Sequence, residues 1–243
     1  MPSESPTRPD VMLLAAGRGT RMKPLTDALP KPLIKVAGMP LLDRAVAAAQ
    51  AEGFSHFVVN VHHHAERLAA HVDALAVAHP GLRFRVSPEA EPLDTGGGLK
   101  RALPLLDGDP LLVMNTDVFW PPRLDRPLEH MLARHDKGDA DIVLLCAQPR
   151  RAVGFRRSHD FCLDPRGRIT RDFGQPIIYA GALVIRRDKV EAVVDERFSL
   201  YRLFEAALDG GRLAGVVLDA PWFHVGDPAA LAEAEEILAA VAR

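Results

Sequence analysis

The chain has 243 residues, 48% of them hydrophobic, and a formal net charge of -2 at pH 7. That length and apolar content suit one large globular domain or two small ones, and one is expected. The near-neutral balance gives no electrostatic case for nucleic acid or an acidic membrane surface as partner, and no apolar run approaches bilayer-spanning length.

Residues 1–10 are rich in Pro and Ser and lack the apolar core of a secretion signal, so they read as a short disordered lead-in to a cytoplasmic protein. Val11–Ala16 reads as a strand that breaks into the turn Gly17-Arg18-Gly19-Thr20-Arg21, with a further cation at Lys31 in Pro30-Lys31-Pro32-Leu33. Strand, glycine turn and fixed cations together describe a place where a polyphosphate lies against backbone amides. Strands follow at His56–Val61, Leu82–Val86, Pro110–Asn115 and Asp141–Ala147. Helical spacing fills the intervals at Pro40–Glu52, Ala65–Ala78, Gly97–Leu106 and Leu124–Asp136, with Leu42, Val46 and Ala49 on one face of the first. This alternation predicts an α/β fold: a mostly parallel central sheet with helices on both faces and ligands at the strands' carboxyl ends.

After Ala147 the pattern changes. Phe161–Leu163 and Arg168–Arg171 flank the hairpin signal Asp164-Pro165-Arg166-Gly167, and Ile177–Ile185 is a long apolar strand. Helical stretches near Asp188–Val194 and Ser199–Leu208, strands Leu213–Leu218 and Trp222–Val225, and a closing helix Pro228–Val241 complete the chain. No low-complexity linker intervenes, so this part is expected to complete the same sheet.

Two familiar phosphate motifs fail against the glycine turn. The P-loop spacing is absent, and a dinucleotide fingerprint needs a small residue at Met22 and an acid where Asn60-Val61-His62 ends the second strand. The turn instead resembles that of the nucleotidyltransferases that make nucleoside-diphosphate sugars, the sugar-1-phosphate pyrophosphorylases. The resemblance rests on Leu14-Ala15-Ala16-Gly17-Arg18-Gly19-Thr20-Arg21-Met22 with Pro24-Leu25-Thr26, and on Pro30-Lys31-Pro32-Leu33. It continues through Glu91-Pro92-Leu93-Asp94-Thr95-Gly96-Gly97-Gly98, Asn115-Thr116-Asp117 and Trp222-Phe223-His224-Val225-Gly226, in family order over nearly the whole chain.

The resemblance implies a three-layer Rossmann-like nucleotide-diphospho-sugar transferase fold, with a nucleotide-binding part at about 11–147 and a sugar-binding part at about 148–243. It implies attack by a sugar 1-phosphate on the α-phosphorus of a nucleoside triphosphate, with Arg21, Lys31 and Asp117 catalytic. Leu14, Ala15, Ala16, Gly17, Gly19, Thr20, Arg21, Glu91, Thr95, Gly96 and Asn115 would bind nucleotide, and Tyr179, Gly181 and Trp222 the sugar. The amides of Gly17 to Thr20 would cradle the leaving phosphates. The Thr95-Gly96-Gly97-Gly98 run would admit a base to the backbone, with Thr95 also a candidate helix cap. Asp117 would hold Mg²⁺. The family usually carries Asp where this chain has His224; imidazole suits Mg²⁺ poorly, so His224 would act through water, favour Mn²⁺, or only contact phosphate or pack.

His62-His63-His64 is expected to be a solvated loop, and Cys146 and Cys162 buried free thiols. Arg150-Arg151 and Arg156-Arg157 are either exposed or reach a sugar substituent. Among compact family members, Pro88-Glu89 with Glu91–Gly98, Ala102–Leu106 and Leu231–Glu235 look most like the uridylyltransferases acting on N-acetylmuramic acid 1-phosphate. Guanylyltransferases for mannose or heptose 1-phosphate, or a non-catalytic nucleotide-binding relative, are the alternatives.

Overall fold

The structure, a computed structural model, describes residues 8–121 and 125–241. Its strands are β1 (Val11–Leu14), β2 (Lys35–Val36), β3 (Met39–Pro40), β4 (His56–Val61), β5 (Arg83–Pro88), β6 (Leu111–Asn115), β7 (Val118–Phe119), β8 (Ile142–Ala147), β9 (Ala152–Val153), β10 (Phe161–Leu163), β11 (Ile169–Thr170), β12 (Gln175–Ile185), β13 (Leu213–Val217) and β14 (Trp222–His224). The α-helices are α1 (Leu25–Ala28), α2 (Leu41–Ala51), α3 (Ala65–Ala78), α4 (Asp94–Ala102), α5 (Pro127–His135), α6 (Arg187–Glu191), α7 (Tyr201–Asp209) and α8 (Pro228–Val241).

In the central sheet β5, β4, β1 and β6 lie side by side in parallel, followed by antiparallel β12 and then by β8 and β13, which run with the first four. The hairpin β10–β11 joins through the start of β12, so the later part of the chain does complete the same sheet.

Each strand's side chains alternate between two apolar cores, which is why the strands read as unbroken hydrophobic runs. Val11, Leu13, Leu112 and Met114 meet Leu42 and Val46 of α2, Leu68 and Val72 of α3, and Leu128 and Met131 of α5. Met12, Leu111 and Val113 meet Leu99 of α4, Val190 of α6 and Phe204 of α7 on the other face. Each such side chain removed from water contributes about 1.5–3 kcal/mol. A third cluster, with Met22, Phe119, Phe223 and Val225, lies beneath the small sheet β7-β14-β9, where the Phe119 and Phe223 rings stack 4.7 Å apart.

Several expectations need correction. The first strand stops at Leu14, because Ala15 hands its amide to the Asn60 side chain rather than to a neighbouring strand. The helix expected at Gly97–Leu106 begins at Asp94 and yields at Leu103–Leu105 to a 3-10 turn, since Pro104 has no amide to continue it. Leu124, the expected start of another helix, lies outside the described residues; that helix runs from Pro127. Of the expected lead-in, residues 8–10 are ordered: Arg8 pairs with Glu129 and lies over the Phe54 ring, and buried Asp10 accepts the Asp107 amide. Among the described residues no helix is long and apolar enough to cross a membrane.

Candidate active site

Parallel β1, β4 and β6 end at one edge, with Leu14 and Asn115 in register. The turn after β1 is pinned by a buried polar staple. Asn60 Oδ1 accepts the Ala15 amide at 2.7 Å, Asn60 Nδ2 donates to Glu89 Oε1 at 2.6 Å, and Glu89 Oε2 accepts the Leu93 amide at 3.1 Å. Beyond it, the amides of Ala16 to Gly19 have no acceptor among the described residues. A run of unpaired N–H groups at a sheet edge is an anion cradle. Gly19 has φ +59°, and a Cβ there would lie 2.9 Å from Thr26 Cγ2 and 3.0 Å from Lys31 Cβ. Glycine thus lets the Lys31 stem pass under the turn, while the buried Thr26 hydroxyl donates to Gly19 O at 2.9 Å.

Lys31 Nζ sits 2.7 Å from Asp117 Oδ2, and His224 Nε2 lies 3.9 Å from that same oxygen. The meeting is enforced by backbone: β14 pairs with β7, placing His224 opposite Val118, and the Val225 amide donates to Asp117 O at 2.9 Å. Trp222 lies nearly parallel to the His224 ring at 5.9 Å. Gly226 is required beneath it, because a Cβ would come within 2.7 Å of His224 Cε1. Burial alone would raise the Asp117 carboxyl, but Lys31, then His224 and Arg21, outweigh it and hold the group below the ordinary carboxylate value. Burial lowers His224, and Lys31 and Arg21 add to that against the pull of Asp117, so its imidazole is neutral at neutral pH.

Two cavities meet here. The smaller, about 250 Å³, is lined by Leu14, Ala15, Ala16, Gly17 and Lys31 together with Asn60 and Glu89. The larger, about 470 Å³, holds Arg21, Tyr179, Trp222 and His224, with Arg156, Arg157, Asp160 and Tyr201. Asp94, Thr95, Asn115 and Asp117 line both. The expected catalytic trio and most expected ligand-binding residues therefore converge on one divided cleft.

Some expected residues lie elsewhere. Glu91 is exposed and faces neither cavity; the glutamate lining the smaller cavity is Glu89, two residues earlier and buried. Gly96 is buried under protein, not open to a base: a Cβ there would lie 2.3 Å from Phe198 Cε2, and the Gly96 and Gly97 amides donate to Phe198 O at 2.9 and 3.0 Å. Thr95 makes no cap, and its hydroxyl instead accepts the Leu200 amide at 3.0 Å. Gly181 sits at a bulge in β12 with φ +80°, where a Cβ would lie 2.5 Å from Val118 Cγ2, so its role is to let the β6–β7 corner close on β12. Thr20 faces a third cavity with Arg18 and the three histidines. Those histidines are half-buried rather than solvated; His62 meets Glu89 O and His63 meets Thr26 O, while the His63 and His64 rings lie 4.1 Å apart.

Of the arginine loop, Arg151 turns to Asp219, while Arg156 and Arg157 reach the larger cavity. Cys146 and Cys162 are buried and free, with burial pushing the Cys146 thiol up to about 12. Sequence reasoning missed Asn60, Glu89, Asp94 and Asp160. Glu89 and Asp94 stood inside the resembling stretches without a role, and Asp94 holds a left-handed backbone with φ +63° at the shared wall.

Among the described residues no three His, Cys, Asp or Glu side chains gather as a metal cage. The donor set is one carboxylate and one neutral imidazole. It fits a divalent ion whose remaining ligands are phosphate oxygens and water.

Residues 11–214 match the MobA-like NTP transferase domain. The N-acetylmuramate alpha-1-phosphate uridylyltransferase of Caulobacter vibrioides is 36% identical over 232 residues, spanning 94% of this chain and 96% of that protein. The enzyme of the same name from Neisseria meningitidis serogroup B is 32% identical over 236 residues, spanning 94% and 98%. A UDP-glucose pyrophosphorylase complexed with UDP-glucose superposes with a TM-score of 0.72 over 96% of this chain and 98% of its own, at 14% identity. That likeness is one of fold, the Rossmann-like nucleotide-diphospho-sugar transferase fold.

Proposed function

The chain belongs to the MobA-like NTP transferase family, and on that premise we propose that it joins N-acetylmuramic acid 1-phosphate to UTP with release of pyrophosphate. It is a sugar-1-phosphate nucleotidyltransferase; the choice of sugar and base is the proposal. The observation that carries the reading is the divided cleft, in which a phosphate cradle and an aromatic-lined cavity share one wall at Asp117. Two buried free thiols suit the reducing cytoplasm, where we place it.

In the reaction, a phosphate oxygen of the sugar 1-phosphate attacks the α-phosphorus, and the bond from that phosphorus to the bridging oxygen of the β-phosphate breaks. The nucleophile is already ionised, so no general base is required. The obstacle is repulsion between two anions, on the order of 4 kcal/mol per pair of unit charges at 4 Å and an effective dielectric of about 20. Lys31 offsets it at the junction of the cavities, with Asp117 holding its ammonium in place until phosphate competes for it. The unpaired amides of Ala16 to Gly19 take the leaving phosphates without adding bulk, and Arg21, which has no ion pair among the described residues, meets the charge that grows on pyrophosphate. Holding both reactants in line against one wall supplies the rest of the rate enhancement. The Tyr179 hydroxyl is buried without a partner among the described residues and is free to bond a sugar hydroxyl beside the Trp222 face.

Asp117, with His224 beside it, would hold the divalent ion that accompanies the triphosphate, and such an ion supplies charge neutralisation at the α-phosphate. A nitrogen donor disfavours Mg²⁺ relative to softer ions. His224→Asp is therefore expected to move the ratio of kcat/KM in Mg²⁺ to that in Mn²⁺ toward Mg²⁺ by about threefold or more. An unchanged ratio in steady-state assays removes His224 from the metal site.

The decisive assay is pyrophosphate release with the uridine, guanosine, cytidine, adenosine and thymidine triphosphates, each offered N-acetylmuramic acid, N-acetylglucosamine, glucose or mannose 1-phosphate. UTP with N-acetylmuramic acid 1-phosphate is expected to give the highest kcat/KM. GTP with mannose 1-phosphate leading instead overturns the proposed pair. Tight nucleotide binding without turnover of any pair overturns catalysis itself.

A further inference from the structure

We infer that Arg156 is the residue that selects an acceptor sugar bearing a carboxylate, and this rests on the reading above, in which the acceptor carries one. The charges facing the larger cavity identify it. Asp160, whose side chain is only 4% exposed, holds Arg157 at 2.7 Å and accepts the Tyr179 amide at 3.0 Å, and Arg157 also lies over the Phe155 ring at 5.3 Å. Arg157, though its own side chain is 68% exposed, is thus tied to a buried acid of the cavity wall. Asp227 is committed as well, accepting the Ala230 amide at 2.8 Å at the start of α8. Arg21 also faces this cavity, and the reaction proposed above assigns it to the pyrophosphate; Asp117 pairs with Lys31, and His224 lies 3.9 Å from that carboxylate.

Arg156 differs from all of these. Its ion pair, with Glu233 of α8 at 3.3 Å, joins two well-exposed side chains, 59% and 41%, and Glu233 is not among the residues lining the cavity. Exposed pairs of this kind contribute only about 0–1 kcal/mol, so the guanidinium exchanges Glu233 for a substrate carboxylate at small cost. Its planar fork takes a carboxylate through two parallel hydrogen bonds, a geometry that lysine lacks. Glu233 then serves as a stand-in acid that keeps Arg156 turned along the cavity rim when no sugar is bound.

The test uses two acceptors, N-acetylmuramic acid 1-phosphate and N-acetylglucosamine 1-phosphate, which differ by a carboxylate-bearing ether arm. The readout is the ratio of their kcat/KM values with one nucleotide. Charge-assisted hydrogen bonds correspond to about 10- to 100-fold in this ratio. Arg156→Gln is expected to lower the ratio by about 30-fold or more, Arg156→Lys to restore part of it, and Arg157→Gln to change it less than threefold. Melting curves identify any variant that fails to fold, and Arg156→Lys keeps the charge if Arg156→Gln does. An equal fall for both acceptors overturns the inference, as does a wild-type enzyme with a ratio near one. If no triphosphate supports turnover of either acceptor, the proposed function fails, and this inference fails with it.

Discussion

Lys31→Met lowers kcat by about a thousandfold while changing the nucleotide KM far less, the pattern expected when a preorganised charge is removed from a site where charge develops. Lys31 is the cation closest to the shared wall, 2.7 Å from Asp117 Oδ2, and its own side chain is only 12% exposed. The other cation lining the smaller cavity, Arg18, is exposed, and it has no ion pair to Asp117 among the described residues. Lys31→Arg keeps the charge but adds a planar head in the space under Gly19, and is expected to recover only part of the rate.

The same substitution moves the pH profile. In the wild type Lys31 is the largest influence holding the Asp117 carboxyl low, against the burial that raises it. Asp117 therefore stays ionised into acid, and its contribution is lost only as pH falls through the depressed value. With Lys31 gone, burial is opposed only by His224 and Arg21, and the acid limb of kcat/KM moves to higher pH. Stopped-flow or coupled pyrophosphate assays across pH measure both effects. A variant within fivefold of wild type with an unmoved acid limb removes Lys31 from the catalytic step.

Asn60→Leu is expected to lower stability by about 3 kcal/mol, because it leaves the Ala15 amide and the Glu89 carboxylate without partners in a buried setting. For a chain of this size that is a fall of roughly 6–12 °C in melting temperature. Because the staple also fixes the turn that presents the amides of Ala16 to Gly19, the nucleotide KM rises as well. The double variant Asn60→Leu/Glu89→Leu is expected to be less destabilised than the two single losses added together, since the pair shares one hydrogen bond. Strict additivity in calorimetry would show that the staple is not one unit.

The sheet was legible in the sequence because a strand covered on both faces reads as an apolar run, as in Phe57–Val59 of β4, Leu111–Met114 of β6 and all of β8. Lys31 and Asp117 were legible because local motifs carry them. What local pattern does not reveal is the long-range partner. The glycines at 96 and 97 were read as room for a base, yet the atoms that need the room belong to Phe198 and Glu196. Glu89 and Glu91 stood in the same resembling stretch, which assigned nucleotide binding to Glu91, whereas the Asn60 side chain, from a different strand, draws Glu89 into the cleft. His224 meets Asp117 through the β7–β14 pairing, two very short strands with no periodic signal of their own.

The common wall of the two cavities has a thermodynamic consequence. Asp94, Thr95, Asn115 and Asp117 line both cavities, so under the proposed function nucleotide and sugar phosphate would not occupy independent sites. Any ordering that one imposes on those four side chains is already in place when the other arrives. By linkage, the factor by which nucleotide changes the affinity for sugar phosphate equals the factor by which sugar phosphate changes the affinity for nucleotide, commonly about 5–150-fold in coupled sites. Under the proposed function the wall would act as a heterotropic coupling element, with the response to one substrate set in part by the concentration of the other.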